Sequence, residues 1–165
     1  MRIVTTSTYL TPDIGQAIGG VAAAWSALEY EMEVTIRQLA KTSMKVTRIL
    51  VTGMNLRTRL GCIEGLMQLR KATAAQQKAL KKFSDEITLK LEPDRNKVVH
   101  SLWHRDQAGA FHLIRTSGSW TAPKIGRVKR AVMAEVEPIN SAHIRGTQMR
   151  ILDACRRFRE WRESL

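Results

Sequence analysis

Between residues 14 and 39, Ile14, Ile18, Val21, Trp25, Leu28, Met32, Ile36 and Leu39 recur at steps of three and four. Only an α-helix brings such positions onto one face, because a strand alternates its faces every second residue. An apolar stripe this long is stable only against a surface of similar length, which restricts the chain to packed helices. Thr11-Pro12-Asp13 supplies the start: a capping hydroxyl, Pro at the first helical position, and an acid at the positive end of the dipole. Glu29, Glu31 and Glu33 fall off the stripe and are expected in solvent. The same alternation is that of a coiled-coil seam, so this helix is also a candidate dimer face.

Further helical signals follow. Met44 to Val51 reads as a short helix stopping at Gly53. Asn55 can cap a second main helix reaching about Thr73, with Leu56, Leu60, Ile63 and Met67 inward. A third opens near Ala74 with Leu80, Phe83, Ile87 and Leu91 inward. Pro93 should kink or break it, since it cannot donate to the carbonyl of Leu89. A restart at Pro93 would carry the helix through Trp103. From Arg105 to about Arg130, Asp106, Gly109, Gly118, Pro123 and Gly126 punctuate short runs, which predicts a β-hairpin or irregular insertion. Glu137-Pro138 then marks the start of a last helix, with Ile139, Ile144 (or His143), Ile151, Cys155, Phe158 and Trp161 inward and arginines outward. Residues 1–10 are Thr-rich, show no periodicity and are expected to be flexible. The expectation is one all-α domain over residues 1–165, a four-helix bundle interrupted once by the β insertion.

Composition narrows the partners. The chain has 165 residues, 44% hydrophobic and 25% charged, enough for a core without disulfides. Cys62 and Cys155 stand far apart with no CxxC spacing, which predicts two reduced, partly buried thiols. No apolar run reaches membrane-spanning length, and Gly15, Gly19 and Gly20 interrupt the N-terminal region where a leader would need an apolar core, so a cytoplasmic protein is expected. The net charge of +12 favours polyanionic partners, nucleic acid first and an acidic membrane or acidic protein second, against the plainer reading of a solubilising surface.

The chemistry concentrates in Arg95-Asn96-Lys97-Val98-Val99-His100-Ser101-Leu102-Trp103. On a helix Asn96 and His100 share a face, His104 extends it one turn further, and the long side chain of Arg95 can swing toward His100. Val98, Val99, Leu102 and Trp103 would press the other side into the core. A guanidinium grips phosphate oxygens in a forked geometry, an amide fixes an orientation, and imidazole moves protons near neutral pH. The trio suits metal-independent cleavage of RNA, with His100 as acid or base and Arg95 stabilising the developing charge. The plainer reading is a half-exposed pair on a bundle surface. A bare Arg-to-His spacing has little specificity, and Arg105 to His112 provides a second one in the region read as non-helical.

An Arg, a short spacer and a His near the end of the third helix of a four-helix bundle resembles the HEPN superfamily (higher eukaryote and prokaryote nucleotide-binding). Arg95-Asn96, His100, Ser101 and Trp103 match its commoner form. The likeness extends more loosely over residues 20–163. It implies a homodimer with two motifs facing across one cleft, and an endoribonuclease of toxin or anti-phage type. It also implies a cognate antitoxin or neighbouring-gene protein as a candidate partner. Pro93, two residues before Arg95, departs from the uninterrupted helix expected of that family. The alternative within the same likeness is a non-catalytic module that holds RNA or protein.

Lys97, His104, Arg57, Arg59, Lys124, Arg127, Lys129 and Arg130 are candidate RNA contacts, each weighed against an ordinary solvated side chain. His100 and His104 are spaced to share a metal, but a site needs three or four ligands, so no metal or other cofactor is expected. His112 and His143 are read as structural, and Trp25, Trp120 and Trp161 as core or interface residues.

Overall fold

A computed structural model of the chain describes residues 10–106, 108–117 and 133–165. The molecule is mostly helical with one small antiparallel sheet. The elements are α1 (Pro12–Ala40), α2 (Met44–Val51), α3 (Leu56–Leu69), α4 (Ala74–Glu86), a π-helical turn (Ile87–Leu91), α5 (Glu92–His100), β1 (Leu102–Arg105), β2 (Phe111–Ser117), β3 (Met133–Ile139) and α6 (Ser141–Glu163). The flexibility expected of the N-terminal residues falls, up to residue 9, outside the described ones.

The apolar stripe of α1 is buried over its whole length except at Ile18, which is half-covered. Val21, Leu28 and Met32 have no solvent exposure at all. α1 packs against α3, α5 and α6, so one helix faces three others. Local chemistry sets the other starts. Ser43 accepts from the N–H of Val46, and Asn55 from that of Thr58. Thr73 and Gln76 close a reciprocal capping box. Leu56, Leu60, Ile63 and Met67 are all buried, as their spacing predicted.

Long-range polar contacts fix the direction of each rod. Arg59 reaches the Glu29 carbonyl and Arg70 that of Leu39, so α3 runs parallel to α1. Asp13 bonds Arg145 and Glu31 bonds Arg159 and Arg162, so α6 is parallel as well. Glu86 pairs with Arg157 and Asp94 with Arg150, which sets the α4–α5 rod antiparallel to all three.

Pro93 does not break this rod. The N–H of Glu92 bonds the carbonyl of Ile87, five residues back, in a π turn directly ahead of Pro93. Ile87, Leu91 and Val98 stay buried across it. An extra residue in the turn rotates α5 about its axis relative to a straight continuation of α4.

Two helical expectations are corrected. The helix ends at His100, and Ser101 is extended (φ −80°, ψ 153°), so Leu102 to Arg105 form a strand. Trp103 pairs with Leu113 and His104 with His112, and these ladder bonds outweigh helical continuation. Leu102 consequently faces solvent, 62% exposed, instead of entering the core. Glu137-Pro138 likewise belongs to β3, where Glu137 pairs with Leu113. The acid–Pro signal resembles a helix start, but the true cap is Asn140, whose side chain accepts from the N–H of His143. β3 lies at the sheet edge in the order β1-β2-β3, where Pro138 is tolerated. Of the insertion expected over residues 105–130, Phe111–Ser117 form β2, whose hairpin partner β1 comes from the segment expected to be helical, and residues 118–130 lie outside the described ones.

Glu31 is the third correction: it is 3% exposed, not solvated. Arg159 (2.7 Å) and Arg162 (2.5 Å) both bond its carboxylate, so a charge on the flank of the stripe is buried under guanidinium groups of α6. The arginines of α6 therefore do not all point away. Cys62 is half-buried and Cys155 buried, and both are free. Burial, with the nearby Glu31, pushes the Cys155 thiol above its ordinary value. No helix among the described residues is long and apolar enough to cross a membrane.

Two stability outcomes follow. Glu31→Ala leaves the nearly buried Arg162 without its main partner and should cost about 3 kcal/mol in urea unfolding, whereas a surface pair would cost under about 1. The Arg157 guanidinium holds the Glu86 carboxyl below its usual range. A depressed folded value adds stability above the ordinary glutamate range, which is lost as pH falls through the depressed one. Glu86→Gln should therefore be less stable than the parent at neutral pH, with the gap closing in acid.

Candidate functional site

α5 is held from two sides before its polar face is considered. Glu92 bonds Arg57 of α3 at 3.1 Å, and Asp94 bonds Arg150 of α6 at 2.8 Å. Such half-exposed pairs contribute at most about 1 kcal/mol each, so burial of Ile87, Leu91 and Val98 does more to fix the helix.

On this support three side chains converge. Arg95 Nη1 lies 2.9 Å from Asn96 Oδ1 and 2.7 Å from His100 Nε2. A guanidinium is always protonated near neutral pH, so Nη1 donates in both bonds. His100 Nε2 must then accept, which defines a neutral imidazole with its proton on Nδ1. His100 is exposed at the end of α5, while Arg95 and Asn96 are half-buried.

Trp25 of α1 lies beneath Arg95, with the guanidinium carbon 5.6 Å from the ring centroid. The indole N–H of Trp25 donates to Glu29 at 3.1 Å, which fixes the ring plane. Stacking of this kind contributes about 0.5–2 kcal/mol and holds the cation in place without neutralising it. Among the described residues three buried side-chain polar atoms have no partner: Arg95 Nε, Ser101 Oγ and Trp161 Nε1. Two of the three flank the trio. An unpaired buried donor costs about 1–3 kcal/mol.

The remaining candidates are dispersed. Lys97 pairs with Glu137 of β3. His104 sits on β1 opposite His112, not on the helical face it would have extended. His112 bonds Asp106 at 2.8 Å, and that bond, with the backbone N–H of Ala110, holds the Asp106 carboxyl below its usual range. Arg57 is engaged with Glu92, and Arg59 with the carbonyls of Met54 and Glu29. Lys124, Arg127, Lys129 and Arg130 lie outside the described residues, as does Trp120. Among the described residues no group of three or more His, Cys, Asp or Glu side chains comes together as for a metal.

No family model, curated protein or solved structure matches the chain. The trio's geometry therefore stands on its own.

Trp25 and Glu29 were not singled out as site residues in the sequence. Trp25 reads there as one more position in an apolar stripe, and nothing links it to a residue seventy positions later. The trio lines neither of two surface pockets, one of about 340 Å³ between α3 and α4 and one of about 570 Å³ beside the hairpin and the start of α6. Of the three only His100 is exposed. Long-range ¹⁵N–¹H spectra at about pH 8 should give His100 as the Nδ1–H tautomer, and Arg95→Ala should shift it toward Nε2–H. An Nε2–H tautomer in the parent would contradict the Arg95–His100 bond.

Proposed function

We propose that the chain is a metal-independent endoribonuclease of HEPN type, working as a homodimer. The observation that carries this reading is the approach of Arg95 Nη1 to both Asn96 Oδ1 and His100 Nε2, with Arg95 Nε buried and unpartnered beside them. A cation, an amide and a proton carrier thus meet on one small surface. Its place at the end of the third long helical rod supports the family reading, and the +12 charge supports an RNA substrate.

In the reaction a 2′-hydroxyl attacks the adjacent phosphorus. Phosphate oxygens draw Arg95 off His100, and the freed Nε2 takes the hydroxyl proton as the new P–O bond forms. The P–O5′ bond breaks and the leaving 5′-oxygen takes a proton from water, to which His100 then returns the one it accepted, giving a 2′,3′-cyclic phosphate and a 5′-hydroxyl. Arg95 stabilises charge on the non-bridging oxygens, an effect of about 3 kcal/mol. The exposure of His100 at the end of α5 leaves it accessible to a second copy that would complete a cleft. Subunits carrying Arg95→Ala and His100→Ala, when mixed, should then recover part of the activity. An antitoxin or neighbouring-gene protein remains a natural partner under this reading.

A second reading, a non-catalytic module holding RNA or protein, is favoured by one feature: the Nε2 lone pair of His100 is already taken by Arg95. The two part on a single assay. His100→Ala should lower cleavage of a labelled RNA by about 10²–10⁴-fold, with a chelator leaving the parent's rate unchanged. Cleavage unaffected by His100→Ala, or abolished by the chelator, overturns the proposal. Stable RNA binding without cleavage establishes the module.

A further inference from the structure

All six arginines of α6 have a carboxylate partner: Arg145 with Asp13, Arg150 with Asp94, Arg156 with Asp153 and Glu160, Arg157 with Glu86 and Asp153, Arg159 with Glu31, and Arg162 with Glu31 and Glu163. The helix richest in arginine is therefore close to neutral with its surroundings, and the molecule's positive excess must lie elsewhere. Much of it gathers at one end of the bundle. No acidic residue occurs between Glu33 and Glu64. Arg37, Lys41, Lys45 and Arg48 fall in that interval, all exposed, and none has a carboxylate within ion-pair distance among the described residues.

Topology adds a fifth cation. Arg70 Nε donates to the Leu39 carbonyl at 2.7 Å, which ties the end of α3 to the end of α1 and brings the exposed, unpaired Lys71 to the same end. Helix dipoles do not cancel this charge. α1, α3 and α6 terminate here at about −0.5 each, while α2 and α4 begin here at about +0.5 each, leaving about −0.5 against five full positive charges.

We propose that this end is a second RNA-docking surface, which holds the phosphate backbone of the strand well away from the Arg95–His100 site. It rests on the reading of RNA as the substrate. Along α1, Trp25 beneath Arg95 and Lys41 are sixteen residues apart, about 24 Å at 1.5 Å per residue, so the surface grips flanking nucleotides and not the scissile phosphate. A nucleic acid backbone fits better than an acidic amphipathic peptide. On α2, Arg48 lies on one flank of the buried Thr47 and Val51 and the exposed Val46 and Leu50 on the other, while Lys45 and the exposed Ile49, four residues apart, share the outer face. The five cations come from the ends of α1 and α3 and from α2, with no carboxylate paired to any of them among the described residues, a spread that suits the repeated charge of a phosphate backbone.

The test uses the full chain and a fluorescent single-stranded RNA about twenty nucleotides long with 2′-O-methyl groups, which cannot be cleaved. The variant combines Arg37→Gln, Lys41→Asn, Lys45→Gln and Lys71→Asn. Asn is chosen at 41 and 71 because both lysines have positive φ, 54° and 56°. Loss of four phosphate contacts should flatten the log K against log salt slope by about 3 and weaken binding at least about tenfold near 0.1 M salt. If the combined variant is unfolded by circular dichroism, Arg37→Glu and Lys45→Glu taken singly should each weaken binding and flatten the slope. Variants that bind with the parent's affinity and slope overturn this surface and leave the proposed function untouched. If the parent binds the methylated RNA but never cleaves the unmodified one, the nuclease reading falls and the docking surface stands. No RNA binding by the parent overturns both.

Discussion

Burial of one face of α1 against three other helices is the constraint from which the rest of the molecule follows. α3, α5 and α6 each contact it, so its stripe serves as their common core. The burial also brings Glu31 beneath Arg159 and Arg162, and the Trp25 indole beneath Arg95. The same helix thus supplies the hydrophobic surface, the ionic clamp and the floor of the candidate site. At about 25 cal/mol for each Å² of apolar surface removed from water, its apolar face outweighs the ion pairs around it. Those pairs set direction and register instead: each links a particular residue of one rod to a particular residue of another.

Periodicity and capping chemistry made the helices legible in the sequence. Ser43, Asn55 and Thr73 act locally, within three residues of the N–H they accept from, so their effect can be read without the fold. The strands were less legible because their stability comes from partners distant in sequence. Leu102 to Arg105 carries no strand signal until Phe111 to Ile114 lies alongside, and Glu137-Pro138 looks like a helix start until β2 is beside it. Glu31 was misplaced for a similar reason. An acid beside an apolar stripe is usually solvated, and only a basic helix folded against it makes burial favourable.

At the site, the convergence of Arg95, Asn96 and His100 could be anticipated because all three lie within one and a half turns. What could not be anticipated was how they meet: a guanidinium donating to the imidazole nitrogen, supported on an indole from another helix. In this arrangement the Nε2 lone pair of His100 is covered by the neighbouring cation, and under the proposed function a phosphate that attracts Arg95 would expose it. The basic end of the bundle was hidden from the sequence because charge there depends on which cations lack partners. The arginine-rich last helix draws attention in the sequence, yet it is neutralised by its neighbours.

The π turn at Ile87–Leu91 gives the aim of the polar face an unusual origin. The coil widens by one residue directly ahead of Pro93, and every side chain beyond it is clocked to a new angle around the rod. The bearing of Arg95, Asn96 and His100 thus depends on the backbone ahead of them as well as on the contacts they make. A lineage that closed the widened coil while keeping the three polar residues would retain the motif in its letters and swing it off Trp25 in space.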